Sequence, residues 1–205
     1  MSGYPKFFDE VEGIDLKDPL SEVLGTFENG LVKIKYLPIV KMAGHSCPTV
    51  AGAYLMTLKA LKALYPDSLP VRGEIKVEFK EDESDGVAGV IGSVISNITG
   101  ATEISGFKGL GGKHSRNNLM FFNRDINSSA RFTRLDTGKV VDVFYDHRKV
   151  PGNPLMQELM QKVLGGVATE EEKISFGKLW QERVKKILID FKDDEEVCKV
   201  VEVVV

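Results

Sequence analysis

Between Thr49 and Tyr65 the apolar residues Val50, Tyr54, Leu58, Leu61 and Tyr65 recur at helical spacing, while Lys59 and Lys62 lie off that stripe. A helix with one continuous apolar stripe has to bury it against a second layer, so the rest of the chain is organised around this element. Its beginning is constrained as well. Pro48 suits the first helical position, where a missing N–H costs nothing, and that leaves Cys47 at or beside the N-cap. Unpaired backbone N–H groups and the positive end of the helix dipole favour an anion there, thiolate over thiol, and the thiolate is the form that binds metal. With His45 two positions earlier, the segment Gly44-His45-Ser46-Cys47-Pro48-Thr49 reads as a metal site or a reactive thiol at a helix entrance.

The flanking pattern mixes helix and strand periods. Asp18-Pro19 followed by Leu20, Val23 and Leu24 predicts a short helix, and residues 31–36 alternate as a half-buried strand running on to His45. Pro66, Pro70 and Gly73 end the long helix, after which 74–80 alternates strictly as a strand. Asp85 suits the cap of a helix over 87–98, stopped by Thr99-Gly100. Residues 100–118 carry Gly106, Gly109, Gly111 and Gly112 together with Lys108, Lys113, His114 and Arg116, the composition of a functional loop. After a short apolar run at 119–122, residues 130–135 and 140–145 flank the turn Asp136-Thr137-Gly138 as a hairpin. Asn153-Pro154 opens a helix ending at Gly165-Gly166, Thr169 with Glu172 forms a capping box for a longer one, and 197–205 reads as a final strand. Irregular mixing of this kind predicts an α+β fold, a mixed or antiparallel sheet with packed helices, rather than a doubly wound sheet. No repeat or low-complexity linker divides the 205 residues, so 1–205 is expected to be a single domain.

A net charge of −3 and a pI near 5.7 argue against a nucleic-acid partner or an anionic membrane surface. The longest apolar runs, 87–98 and 197–205, are too short or broken to span a bilayer, and the N-terminus lacks a signal-peptide layout, so the cytoplasm is the expected location. Two cysteines, Cys47 and Cys198, rule out a zinc ribbon or an iron–sulfur cluster held by this chain's thiols alone.

A catalytic-type zinc site needs a third protein ligand and an open position. His114 is the leading third ligand, followed by Glu83, Asp85 and Glu103. The expected site is therefore His45, Cys47 and His114 around one divalent ion, most plainly zinc, its open position facing Lys113, Arg116 and Asn118, which orient a small anionic ligand. Any reaction would rest on Lewis acidity. The plainer reading is a half-buried Cys47 beside a capped helix with His45 hydrogen-bonded to backbone. Two rivals are a metal-free enzyme using Cys47 as nucleophile and a noncatalytic accessory protein that pairs through its valine-rich tail. A phosphate loop is excluded, because the glycine spacing before Lys113 is off by one and no Ser or Thr follows the lysine. His147 reads as a surface residue and Cys198 as buried and inert.

Gly44-His45-Ser46-Cys47-Pro48 with its small-residue helix, Thr99-Gly100-Ala101-Thr102 after a second helix, a Gly-Lys loop running into Asn118-Leu119, and Asp136-Thr137-Gly138-Lys139 before a strand together resemble the formylmethanofuran dehydrogenase E-subunit-like family. The resemblance runs from about 44 to 145, roughly half of the chain. It implies the α+β fold that this family shares with the catalytic domain of glyceraldehyde-3-phosphate dehydrogenase, a homodimer, and a transition-metal site, usually zinc, using the first motif's His and Cys. The family's further cysteines are missing, with Ala101 where one is typical and Asp85 near the place of another, and so is its C-terminal cysteine-rich module. The resemblance implies a divergent stand-alone member and does not make it a dehydrogenase.

Overall fold

A computed structural model describes residues 3–204; the first two residues and Val205, the last residue of the expected C-terminal strand, lie outside the described part. In chain order the elements are β1 (Ile14–Lys17), α1 (Pro19–Val23), β2 (Leu31–Ile34), α2 (Tyr36–Ala43), α3 (Pro48–Leu64), β3 (Ile75–Glu78), α4 (Ala88–Thr99), β4 (Met120–Phe121), β5 (Ala130–Arg134), β6 (Val140–Tyr145), α5 (Leu155–Leu164), α6 (Glu170–Lys185) and β7 (Cys198–Val203). A five-stranded sheet has the order β4-β3-β5-β6-β7, with β4 parallel to β3 and every other pair antiparallel; β1 and β2 form a separate antiparallel pair. The fold is α+β with a mixed sheet and packed helices.

Strand alternation decides which face of the large sheet is covered. Val77, Phe132 and Val141 lie in register and are fully buried, forming the face beneath α3. Their neighbours Glu78, Arg131 and Asp142 are in register on the opposite face, where Arg131 donates two hydrogen bonds of 2.9 Å to Asp142. The helix α3 is buried on more of its circumference than its stripe suggested, because Ala51, Gly52, Ala53 and Ala60 let neighbouring layers come close. Tyr36 and Tyr54 continue an edge-to-face aromatic series from Phe7 and Phe8, and the Tyr54 hydroxyl donates to the carbonyls of Glu12 and Ile34.

Two sequence expectations change here. The strand at 31–36 stops at Ile34, and Tyr36 opens α2, in which Pro38 sits in the first turn, where no backbone N–H is required. Asp85 does not cap α4 with its side chain; its backbone carbonyl accepts from Ala88 N–H, and Val87 holds the cap position. The capping box at Thr169 and Glu172 forms in both directions.

Asp18 is the electrostatic anchor. Its carboxylate caps α1 through the N–H groups of Leu20 and Ser21, and it takes Arg72 at 2.8 Å and Arg116 at 2.6 Å. Arg72 also donates to the Ile98 and Asn97 carbonyls, closing the C-terminal end of α4. Burial alone would raise the Asp18 carboxyl, but the Ser21 N–H and the two guanidinium groups reverse this and hold it below the ordinary carboxylate range. A depressed folded-state value adds stability that is complete above about pH 4 and is lost as pH falls through that lower value. Asp18→Asn strands two arginines and should cost about 3–5 kcal/mol in urea unfolding. Arg116→Met leaves Asp18 paired with Arg72 and should cost clearly less; equal losses in the two variants would contradict this assignment.

Candidate functional site

The entrance to α3 is held from three directions. Ser46 is buried, its hydroxyl 2.9 Å from the Tyr36 hydroxyl, and its carbonyl accepts from Trp180 Nε1 and Gln181 Nε2 of α6, each at 3.0 Å. Cys47 is the N-cap, half-buried, and its Sγ accepts from the Val50 N–H at 3.4 Å. The Tyr145 hydroxyl, from the end of β6, donates to the Pro48 carbonyl at 2.8 Å. Tyr145 crosses α3 at Gly52, where a Cβ would lie 2.1 Å from the ring, so glycine is required by this close approach. Burial drives the Tyr145 phenol far above its ordinary range, with Cys198 and Cys47 adding to the effect, so it remains a donor.

Beside this entrance lies a cleft of about 350 Å³. Met56, Phe79, Ala88 and Ile91 form an apolar floor, with Tyr145 along one wall. Thr49, Glu81, Asp85, Ser129 and His147 supply the polar rim. The cleft opens where the chain leaves β3 and β6 and where α3 and α4 begin. His147 is exposed, as expected, yet its ring also stacks near Tyr145, with centroids 6.2 Å apart. Burial of the imidazole face, followed by the Arg183 charge, lowers the His147 pKa, keeping the ring neutral near pH 7.

The expected site residues divide between two places. His45 is exposed, with Nδ1 3.0 Å from the Ala43 carbonyl, which is the plainer reading of that residue. His114 lies in the glycine-rich loop with φ of 60° and half-buried. That loop closes on itself after the C-terminal end of α4, through Thr102 N–H to the Arg116 carbonyl and Asn118 N–H to the Glu103 carbonyl. Thr49 and the cleft face the N-terminal end of the same helix, and its 12 residues span about 18 Å at about 1.5 Å each. Among the described residues, no three His, Cys, Asp or Glu side chains gather closely enough to hold a metal ion. His45, Cys47 and His114 therefore do not form the three-ligand cage read from the sequence.

The anion-binding trio is also dispersed. Arg116 is only 7% exposed and committed to Asp18, whereas Lys113 and Asn118 are exposed on the loop surface. Of the reserve ligands, Glu103 sits against Glu83 in a hollow along the opposite side of α4, where burial and that neighbouring carboxyl raise its pKa. Only Asp85 reaches the cleft. Cys198 is fully buried and its thiol is pushed up to about 11, consistent with an inert role. Thr49, Glu81, Ser129, Tyr145 and His147 share no sequence spacing that marks them as a set, and His147 by itself reads as a surface residue.

A small α+β protein with a His-x-Cys helix entrance and an adjoining cleft is thus defined. The family described as "FmdE, Molybdenum formylmethanofuran dehydrogenase operon" matches residues 42–199, and the chain belongs to this FmdE family. No curated protein matches the chain. No helix in the described part is long and apolar enough to cross a membrane.

Two variants test the geometry. Gly52→Ala drives a methyl into the Tyr145 ring and should cost about 1–3 kcal/mol of stability; an unchanged unfolding midpoint would contradict the close approach. In metal analysis of purified protein, His114→Ala should retain the wild-type zinc content, whatever its level. A loss confined to that variant would restore the cage.

Proposed function

We propose that this FmdE-like protein binds a small organic molecule in the cleft between the beginnings of α3 and α4, with the Cys47 thiol and Thr49 hydroxyl at the helix entrance beside it. The observation that carries the reading is the cleft itself: about 350 Å³, an apolar floor, and polar groups converging from separate elements. That volume and lining suit small-molecule recognition, in which apolar area supplies affinity and a few polar atoms fix orientation. The glycine-rich loop is the weaker alternative, because its one buried cation is already paired. The zinc suggested by the family resemblance enters this reading only at Cys47 and His45.

On the same reading, the sheet and its helix layer follow the topology that the family shares with the catalytic domain of glyceraldehyde-3-phosphate dehydrogenase. The working form is a homodimer, for which the outer edge of β7 is an available pairing surface. A binding role needs no turnover, so the protein serves in an accessory role as readily as in an enzymatic one.

Benzyl alcohol, which matches the apolar floor and the hydroxyl-bearing rim, is a suitable first probe. Calorimetric titration should show saturable binding with Kd of about 1 mM, a value set by its few heavy atoms. Ala88→Phe and Thr49→Phe, each filling the cleft from a different helix, should weaken binding at least about tenfold, while Lys113→Ala leaves it unchanged. Binding that survives both cleft variants but falls in Lys113→Ala would move the site to the loop.

A further inference from the structure

Resting on the cleft as the ligand site, we propose that its ligand is a small organic cation, an amine carried on an apolar or aromatic body. Glu81 and Asp85 both stand on the rim, both are exposed, and neither forms an ion pair among the described residues. No Lys or Arg lines the cleft. Its one basic group is His147, and burial together with the neighbouring Arg183 charge favours the neutral imidazole.

The two helix beginnings oppose a cation, and magnitudes decide the balance. Each N-terminus is equivalent to about +0.5 charge, so together they offset about one of the two carboxylates and leave the lining negative; Arg183, which acts on His147, does not itself line the cleft. An anion entering here would meet both carboxylates with no counter-cation. A cation would meet them at the rim. The apolar lining selects the rest of the molecule: Val87 is exposed and Ile91 half-buried, and an apolar body covering them removes that surface from water. A bare metal ion makes no use of that floor, and the rim groups are not gathered into a metal-holding cluster. The sequence-based expectation of an anionic ligand rested on Lys113, Arg116 and Asn118, which lie at the other end of α4.

Benzylamine, benzyl alcohol and benzoate present one ring with a cationic, a neutral and an anionic group. They should be titrated at pH 7 and low salt into the wild-type chain and into the Glu81→Gln/Asp85→Asn double variant, with the site located by amide chemical shifts. Benzylamine should bind about three- to tenfold more tightly than benzyl alcohol, as two exposed carboxylates allow, and benzoate more weakly than either. The double variant should erase this order, the three probes converging to within about threefold of one another. Equal affinities in the wild type, or an order that persists in the double variant, would overturn the charge selection while shifts at Thr49, Ser129 and His147 still upheld the cleft. Absence of shifts at those residues with every probe would overturn both.

Discussion

Tyr145 lies across α3 at the one place where the helix has no side chain, and its hydroxyl reaches the Pro48 carbonyl at the helix entrance. This contact joins the end of β6 to the first turn of the long helix, positions separated by 97 residues in the chain. It fixes the wall of the cleft and places His147, two residues further on, at the rim. Ser46, held by Tyr36 on one side and by Trp180 and Gln181 on the other, keeps the same turn from moving independently. The cleft is thus a consequence of how the helix entrance is pinned, and Cys47 occupies the N-cap within that pinned segment.

The opposite end of α4 is organised by charge. Asp18 gathers Arg72 and Arg116, and Arg72 closes the helix by taking its last carbonyls. A basic glycine-rich loop therefore serves in part as an internal clamp. Its most buried cation stabilises the fold where composition suggested a ligand contact, and this separates the charge-clamped end of α4 from the end that borders the cleft.

Much of the fold was legible in the sequence because the signals were local. The stripe from Val50 to Tyr65, the Asp136-Thr137-Gly138 turn between two alternating runs, the Gly100 stop and the Thr169 capping box each act within a few residues, and each forms its element. The helix at Tyr36–Ala43 was hidden by Pro38, which breaks a helix everywhere except in its first turn. The site was less legible for a different reason. Cys47 at the N-cap is a local fact and was readable, whereas the residues that line the neighbouring cleft come from the ends of β3 and β6 and the starts of α3 and α4 and meet only through sheet register and helix packing. His114 was the natural third ligand because its loop is basic and glycine-rich; the sequence places that loop after α4 but does not show that the start of α3 packs at the other end of that helix. Family membership over 42–199 agrees with the motif resemblance and leaves the chemistry to be read from the side chains present.

On the proposed reading two features of the cleft act together: an apolar lining that would give affinity to a carbon framework, and a rim whose groups, not committed to the fold, would choose what that framework carries. The direct test is to soak a chemically mixed fragment collection into crystals of the full chain and locate the electron density. The account predicts fragments seated between Thr49, Met56 and Tyr145 at the start of α3. Fragments clustered along Lys113 to Asn118, with the cleft left to solvent, would contradict it.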